Sequence, residues 1–211
     1  MQHSQQRKTA RYSWDDYVTW PGDERWELIA GIAYDMSPAP SIKHQTVAGK
    51  IYSRLEQKLG GKTCKAFIAP TDVVLSESDI VQPDVLIICD PDKITEQNIQ
   101  GAPDVVVEVL SPRTAMKDLR EKKALYERFG VREYLIIDPL EVYAQRFTLT
   151  PSEGYDKGEM FGPQEILRLN TIPDIELNLW EVFEVEAPKN GDFAAKHDSW
   201  CRVEFVGGVR S

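Results

Sequence analysis

Two apolar runs of strand length constrain this chain more than anything else in it: Gln82-Pro83-Asp84-Val85-Leu86-Ile87-Ile88, and Gly101-Ala102-Pro103-Asp104-Val105-Val106-Val107-Glu108-Val109-Leu110-Ser111. Each carries a Pro-Asp pair at its start, and the second holds a carboxylate, Glu108, in its middle. Strands this apolar lie inside a sheet covered on both faces. An ionised side chain there must be paired or bound to a cation. Side chains alternate along a strand, so Asp84 shares a face with Leu86 and Ile88, and Glu108 with Asp104, Val106 and Leu110. If the two strands are neighbours, Asp84 and Glu108 converge on one cation. A hard ion such as Mg²⁺ or Mn²⁺ suits two carboxylates, because it needs few protein oxygens and keeps waters whose pKa it lowers.

At 211 residues the chain fits one domain with a full core. Its 42% hydrophobic and 28% charged residues are those of a globular protein. No apolar run approaches the roughly 20 residues of a membrane span, and the start, from Met1 to Lys8, is polar without a signal-peptide core. The expectation is a cytoplasmic protein with no membrane partner. Cys64, Cys89 and Cys201 are odd in number at unrelated spacings, and are expected as free thiols. The net charge of −9 argues against avid non-specific binding of nucleic acid, which is driven by phosphate neutralisation. A local basic patch remains compatible with it, and an acidic cation site adds to it.

Residues 1–12 are expected to be a disordered tail, 13–185 a single domain, and 186–211 a polar tail without an assigned role. Ser13 caps a short helix running to Val18. Residues 25–36 read as a hairpin turning near Ala30-Gly31. Ser41 caps a helix that runs to Leu59 and stops at Gly60-Gly61. His44 lies in its apolar stripe with Val47, Ala48, Ile51, Leu55 and Leu59, so it points inward. Short strands follow at 64–69 and 72–75, then the strand holding Asp84, a polar loop from Asp90 to Gly101 that is long enough to border a site, and the strand holding Glu108. A second helix runs from about Ala115 to Phe129. At the helical period Lys122 falls at the centre of its apolar face, Asp118 at the edge, and Lys117 points away. A lysine on such a face meets a buried anion or reaches to the rim. The third apolar strand, 132–138, completes a strand-helix-strand crossover, which makes the sheet at least partly parallel.

These residues carry a resemblance. Pro83-Asp84, Glu108-Val109-Leu110-Ser111, Asp118-Leu119-Arg120-Glu121-Lys122 with Tyr126, and Gly130-Val131-Arg132-Glu133-Tyr134 with Asp138-Pro139 resemble the Uma-two family of predicted restriction endonucleases, within the PD-(D/E)XK nuclease superfamily. Glu27-Leu28-Ile29-Ala30-Gly31 and Met36-Ser37-Pro38-Ala39-Pro40 with His44-Gln45 extend the likeness, which covers roughly residues 14–180. The resemblance implies an α/β protein with a restriction-endonuclease-like core: a central mixed sheet flanked by helices, here with an N-terminal hairpin extension. It implies Mg²⁺-dependent cleavage of phosphodiester bonds in DNA, no organic cofactor, and a metal held by Asp84 and Glu108. The superfamily's lysine is expected two residues after the glutamate, where this chain has Leu110. Lys122 is the candidate for the displaced lysine, and Glu27 and His44 are candidate accessory residues that bind metal or water. Enzymes that cut both strands of a duplex are often two-fold dimers, so a homodimer is expected.

Blander readings stand beside these. Glu108 and Lys122 form a buried ion pair without catalysis, His44 is a core histidine, and Asp104 and Asp138 shape turns. At the level of function, the alternatives are an inactive nuclease fold serving as a nucleic-acid or protein binding module, and a hydrolase of small phosphate esters.

Overall fold

A computed structural model describes residues 11–22, 24–36, 39–112 and 114–189. The tail expected at 1–12 and the one at 186–211 lie for the most part outside the described residues. In chain order the elements are α1 (Trp14–Tyr17), β1 (Trp26–Ile29), β2 (Ile32–Asp35), α2 (Ile42–Leu59), β3 (Lys65–Ile68), β4 (Val73–Ser76), β5 (Asp79–Val81) and β6 (Val85–Ile88). Then come β7 (Ile99–Gln100), β8 (Val105–Val109), α3 (Ala115–Lys117), a π-helical turn (Asp118–Lys122), α4 (Lys123–Phe129), β9 (Glu133–Asp138) and β10 (Tyr143–Thr150). The described chain closes with β11 (Gly154–Tyr155), β12 (Glu159–Phe161), β13 (Ile166–Arg168), β14 (Glu176–Asn178) and α5 (Leu179–Phe183). The architecture is mixed α+β.

The central sheet runs β11-β10-β9-β8-β6-β3, with β12 also pairing with β10. It is mixed as expected: β8 and β9 are parallel across the helical crossover, while β6 runs antiparallel to both β8 and β3. A second sheet, β2-β1-β5-β4-β7, contains the N-terminal hairpin. Ala30 and Gly31 both take positive φ, 52° and 75°, which is the twist a two-residue hairpin needs.

The stretch ending in Asp84 is less simple than one strand. Asp79–Val81 pairs with β1 and β4 in the second sheet, whereas Val85–Ile88 belongs to the central one. Gln82-Pro83-Asp84 is therefore the crossing between sheets, at a proline that has no N–H to give to either ladder. Asp84 sits at the mouth of β6. Continuing the β6/β8 register of Val85 with Val107 by one residue sets it opposite Glu108.

Each face of the central sheet is covered. On one side Val85, Ile87, Val105, Val107 and Val109 pack against α2 through Val47, Ile51 and Leu55, with β14 and α5 beside them. On the other, Leu86, Ile88, Val106 and Ile136 pack against Leu125 and Tyr126 of α4 and against Val73 and Val81 of the second sheet. Ser41 caps α2 by accepting the His44 N–H at 3.2 Å, and the apolar stripe is buried as its spacing requires.

One expectation is overturned. Cys64 and Cys89 are not free thiols but are joined in a disulfide. Lys65 pairs with Ile88 in the β3/β6 ladder, so the next residue outward on each strand is a cysteine facing the other. The 25-residue separation gives no sign of this, because it is the register that makes the two meet.

Leu55 is fully buried at the centre of the α2 interface. Leu55→Ala should lower stability by about 2–5 kcal/mol. In urea unfolding this reads as a lower midpoint at an unchanged m-value, and an unchanged midpoint would mean that α2 is not packed as described.

Candidate active site

At the edge of the central sheet, where β6 begins and β8 ends, a cleft of about 510 Å³ opens between α2 and the 115–129 helical run. Asp84, Glu108, His44, Asp118, Lys117 and Lys122 all line it. The Asp90–Gly101 loop borders a different, 280 Å³ pocket with Phe67, Asp72 and Gln82.

The two carboxylates are held from opposite layers. Asp84 Oδ2 accepts the backbone N–H of Val109 at 2.8 Å and lies 3.1 Å from His44 Nε2, which α2 delivers. Glu108 Oε1 accepts from Lys122 Nζ at 2.7 Å and from the Tyr126 hydroxyl at 2.7 Å, both delivered by the helix that follows β8. Lys122 is 1% exposed and also stands 2.8 Å from Glu27 Oε1 and 3.9 Å from Asp118 Oδ1. Glu27, on β1 of the other sheet, is wholly buried. Its Oε1 takes the Gln82 N–H at 3.0 Å and its Oε2 takes Lys117 Nζ at 2.6 Å. The structure thus brings together all five residues singled out from sequence.

It adds Lys117, which the helical projection pointed away. The cause is the π-turn, in which the Lys123 N–H reaches the carbonyl of Asp118. In an α-helix, residues five apart are about 140° apart around the axis. A turn closed by i→i+5 bonding stacks them instead, so Lys117 and Lys122 meet the two oxygens of one carboxylate. Asp118 is correspondingly buried and not at an edge. Nothing in the residue pattern announces a π-turn. Tyr126 had a usable signal, since it lies four residues after Lys122 and so on the same helical face. Asp138 shapes its turn as expected, accepting from the Leu140 and Glu141 N–H groups, whereas Asp104, expected to do the same, instead accepts the Cys89 N–H and pairs with Arg132.

Burial dominates the electrostatics. It pushes the Glu108 carboxyl up to about 8 against the pull of Lys122, with Asp118, Asp84 and Glu27 adding repulsion. For Glu27, burial is outweighed by the two lysines, which bring it down to about 2. Burial lowers and Asp84 raises the His44 pKa, and the net direction is up. Lys122 loses solvation but gains Glu108, Glu27 and Asp118, which hold it firmly protonated. Burial and Glu108 keep the Tyr126 hydroxyl protonated, so it donates.

Among the described residues, no group of three or more His, Cys, Asp or Glu side chains forms a metal cage. The fit to Mg²⁺ rests on a smaller set. Asp84 uses Oδ2 and Glu108 uses Oε1 for protein partners, and no described donor reaches Asp84 Oδ1 or Glu108 Oε2. Two free carboxylate oxygens in one cleft suit an ion that keeps most of its waters. The surroundings agree: Glu27, Asp84, Glu108 and Asp118 lie close together, and the raised Glu108 carboxyl reflects the crowding of its acidic neighbours as well as its burial.

A mixed sheet that carries an Asp and a Glu on neighbouring strands, with a buried lysine brought over them by the following helix, is the arrangement of the restriction-endonuclease-like class. The chain matches the Uma2 family, described as "Putative restriction endonuclease", over residues 14–180, and it belongs to that family. A solved structure described as a "putative nuclease belonging to DUF820", from Anabaena variabilis ATCC 29413, shares the fold with a TM-score of 0.67. It is 18% identical, and the match covers 82% of this chain and 97% of that one. No curated protein matches the chain.

Removing the Glu27 charge leaves Lys117 and Lys122 short of a partner, and Glu27→Gln should cost about 3–5 kcal/mol near neutral pH. The folded pKa of about 2 lies below the ordinary 4.5, so the carboxylate's contribution is complete above pH 4.5 and fades as pH falls toward 2. Urea unfolding of both proteins should show the gap closing over that interval. A gap independent of pH would show that the loss is one of shape and not of charge.

Proposed function

We propose that this protein is a Mg²⁺-dependent endonuclease hydrolysing phosphodiester bonds in DNA, with residues 13–185 as the nuclease unit. The observation that carries the reading is the placing of the Asp84 and Glu108 carboxylates in one cleft beside the Lys122 ammonium, each with an oxygen, Oδ1 and Oε2, that no described donor takes. Asp84 and Glu108 would hold the ion. When bound, Mg²⁺ supplies a water of lowered pKa and charge neutralisation at the phosphate.

The chain's own residues prepare this chemistry. Lys122 donates to Glu108 Oε1 and retains positive charge beside the place where a phosphate oxygen would become more negative. The Tyr126 hydroxyl fixes the same oxygen from a second direction. His44 and the Val109 N–H hold Asp84 Oδ2, leaving Oδ1 as its free donor atom. Glu27 lacks a free oxygen and serves this reading as a positioning residue for the lysines. A homodimer, presenting two clefts to the two strands of a duplex, and a cytoplasmic location belong to the same reading. Among the described residues no helix is long and apolar enough to cross a membrane.

The alternative, a nuclease fold kept as a binding module, is favoured by two observations: Lys122 is already paired with Glu108, and the described residues form no metal cage. Plasmid cleavage in Mg²⁺ separates the two. Wild-type protein should nick or linearise the plasmid, Asp84→Ala and Glu108→Ala should abolish this, and Lys122→Ala should slow it by roughly 10²–10³-fold. Calorimetry should show Mn²⁺ binding that Asp84→Ala loses. Equal cleavage by wild type and Asp84→Ala, or the absence of any cation binding, would sink the enzyme reading.

A further inference from the structure

Lys117 is a charged group of the cleft to which the proposed chemistry gives no part. We propose that its ammonium is a substrate contact, taking a phosphate oxygen of the nucleic-acid backbone next to the one being cleaved, with Glu27 as its positioning residue. The inference rests on the nuclease reading and deepens it.

The geometry divides the two lysines by task. Lys122 is enclosed, and its donors are directed at Glu108 and Glu27, with Asp118 nearby. Lys117 lies one π-turn away, and its side chain is 14% exposed to the cleft. One of its three N–H bonds goes to Glu27 Oε2 at 2.6 Å and a weak one points at Met36 Sδ, 3.6 Å away. The third has no described partner. The Nζ also sits 5.4 Å from the centre of the Tyr34 ring, so carboxylate, thioether and ring fix the ammonium in place before any ligand arrives. A lysine held so loses little side-chain freedom on binding a phosphate, unlike an exposed one.

Its cleft neighbours do not offer the same. Arg25 gives its Nε and one terminal nitrogen to Gln82 Oε1, at 3.0 and 2.8 Å. Lys43 is exposed on the first turn of α2, with no described side-chain partner to orient it. In a chain of net charge −9, affinity for a polyanion must come from a few placed cations and not from the overall field. Lys117 is the placed one at this opening, and the π-turn is the structural device that puts it there.

The test is binding of a fluorescein-labelled DNA duplex, followed by anisotropy with Ca²⁺ in place of Mg²⁺, over a series of salt concentrations. Lys117→Gln should lower the slope of log affinity against log salt by about 0.9, the value of one lost phosphate contact, while Lys117→Arg keeps the wild-type slope. The exposed Lys157 is the control, and Lys157→Gln should leave the slope alone. In a panel of duplexes each carrying one neutral methylphosphonate, wild type should lose affinity at one position to which Lys117→Gln is indifferent. In cleavage, Lys117→Gln should raise KM with little change in kcat, the mark of a contact made equally in ground and transition states.

A Lys117→Gln slope and methylphosphonate profile equal to wild type would overturn the proposal, as would an equal slope loss in Lys157→Gln. If wild type cleaves plasmid while Lys117→Gln binds as wild type does, only this inference fails. If wild type neither binds the duplex nor cleaves plasmid, the nuclease reading fails with it.

Discussion

Lys122 is a whole ammonium placed where water does not reach, and such a charge costs several kcal/mol unless the protein answers it. The answer comes from two sheets at once: Glu108 from β8 of the central sheet at 2.7 Å and Glu27 from β1 of the second at 2.8 Å. The lysine, a candidate site residue, is therefore also the ionic joint at which the two sheets and the 115–129 helix meet. Glu27 has a further tie, because its Oε1 accepts the N–H of Gln82 where the chain passes from one sheet to the other just ahead of Asp84. Shifting the second sheet would thus disturb the lysine and, through residues 82–84, the carboxylate opposite Glu108.

The same joint decides which oxygens remain available. A carboxylate has two, and a buried one is stable only if the protein's hold on it is strong. At Glu108 the hold is concentrated on Oε1, from lysine and tyrosine together. At Asp84 it is concentrated on Oδ2, from the Val109 N–H and the His44 ring. The grip comes from α2 and the Val109 N–H at one carboxylate and from the opposite layer at the other, and each carboxylate keeps an oxygen that no described donor takes. Glu27, with both oxygens taken, marks the contrast between a carboxylate that positions and one that can still bind.

Much of this was legible in the sequence because it follows from periodicity. The α2 stripe set His44 inward, strand alternation put Glu108 on the face that Lys122 covers, and the Pro-Asp pairs marked where strands begin. What escaped depended on departures from the regular period or on register. The π-turn moved Lys117 from the outside of the helix to the site, the crossing at Pro83 divided what read as one strand, and β3/β6 pairing brought Cys64 against Cys89. None of these has a residue signature, since each arises from how neighbouring elements are forced to fit.

Overall acidity also changes meaning once the charges are located. A net charge of −9 counted against nucleic acid when it was only a total. Part of that total is a group of carboxylates, Glu27, Asp84, Glu108 and Asp118, gathered about one cleft, whose mutual repulsion a divalent cation would relieve. A phosphate approaching the bare cleft would meet these carboxylates, and one approaching the loaded cleft would meet the cation between them with the Lys117 ammonium beside it. If the protein is the proposed Mg²⁺-dependent nuclease, metal binding and substrate binding would be coupled: the ion that would supply the chemistry would also offset the acidic side chains that the phosphate has to approach.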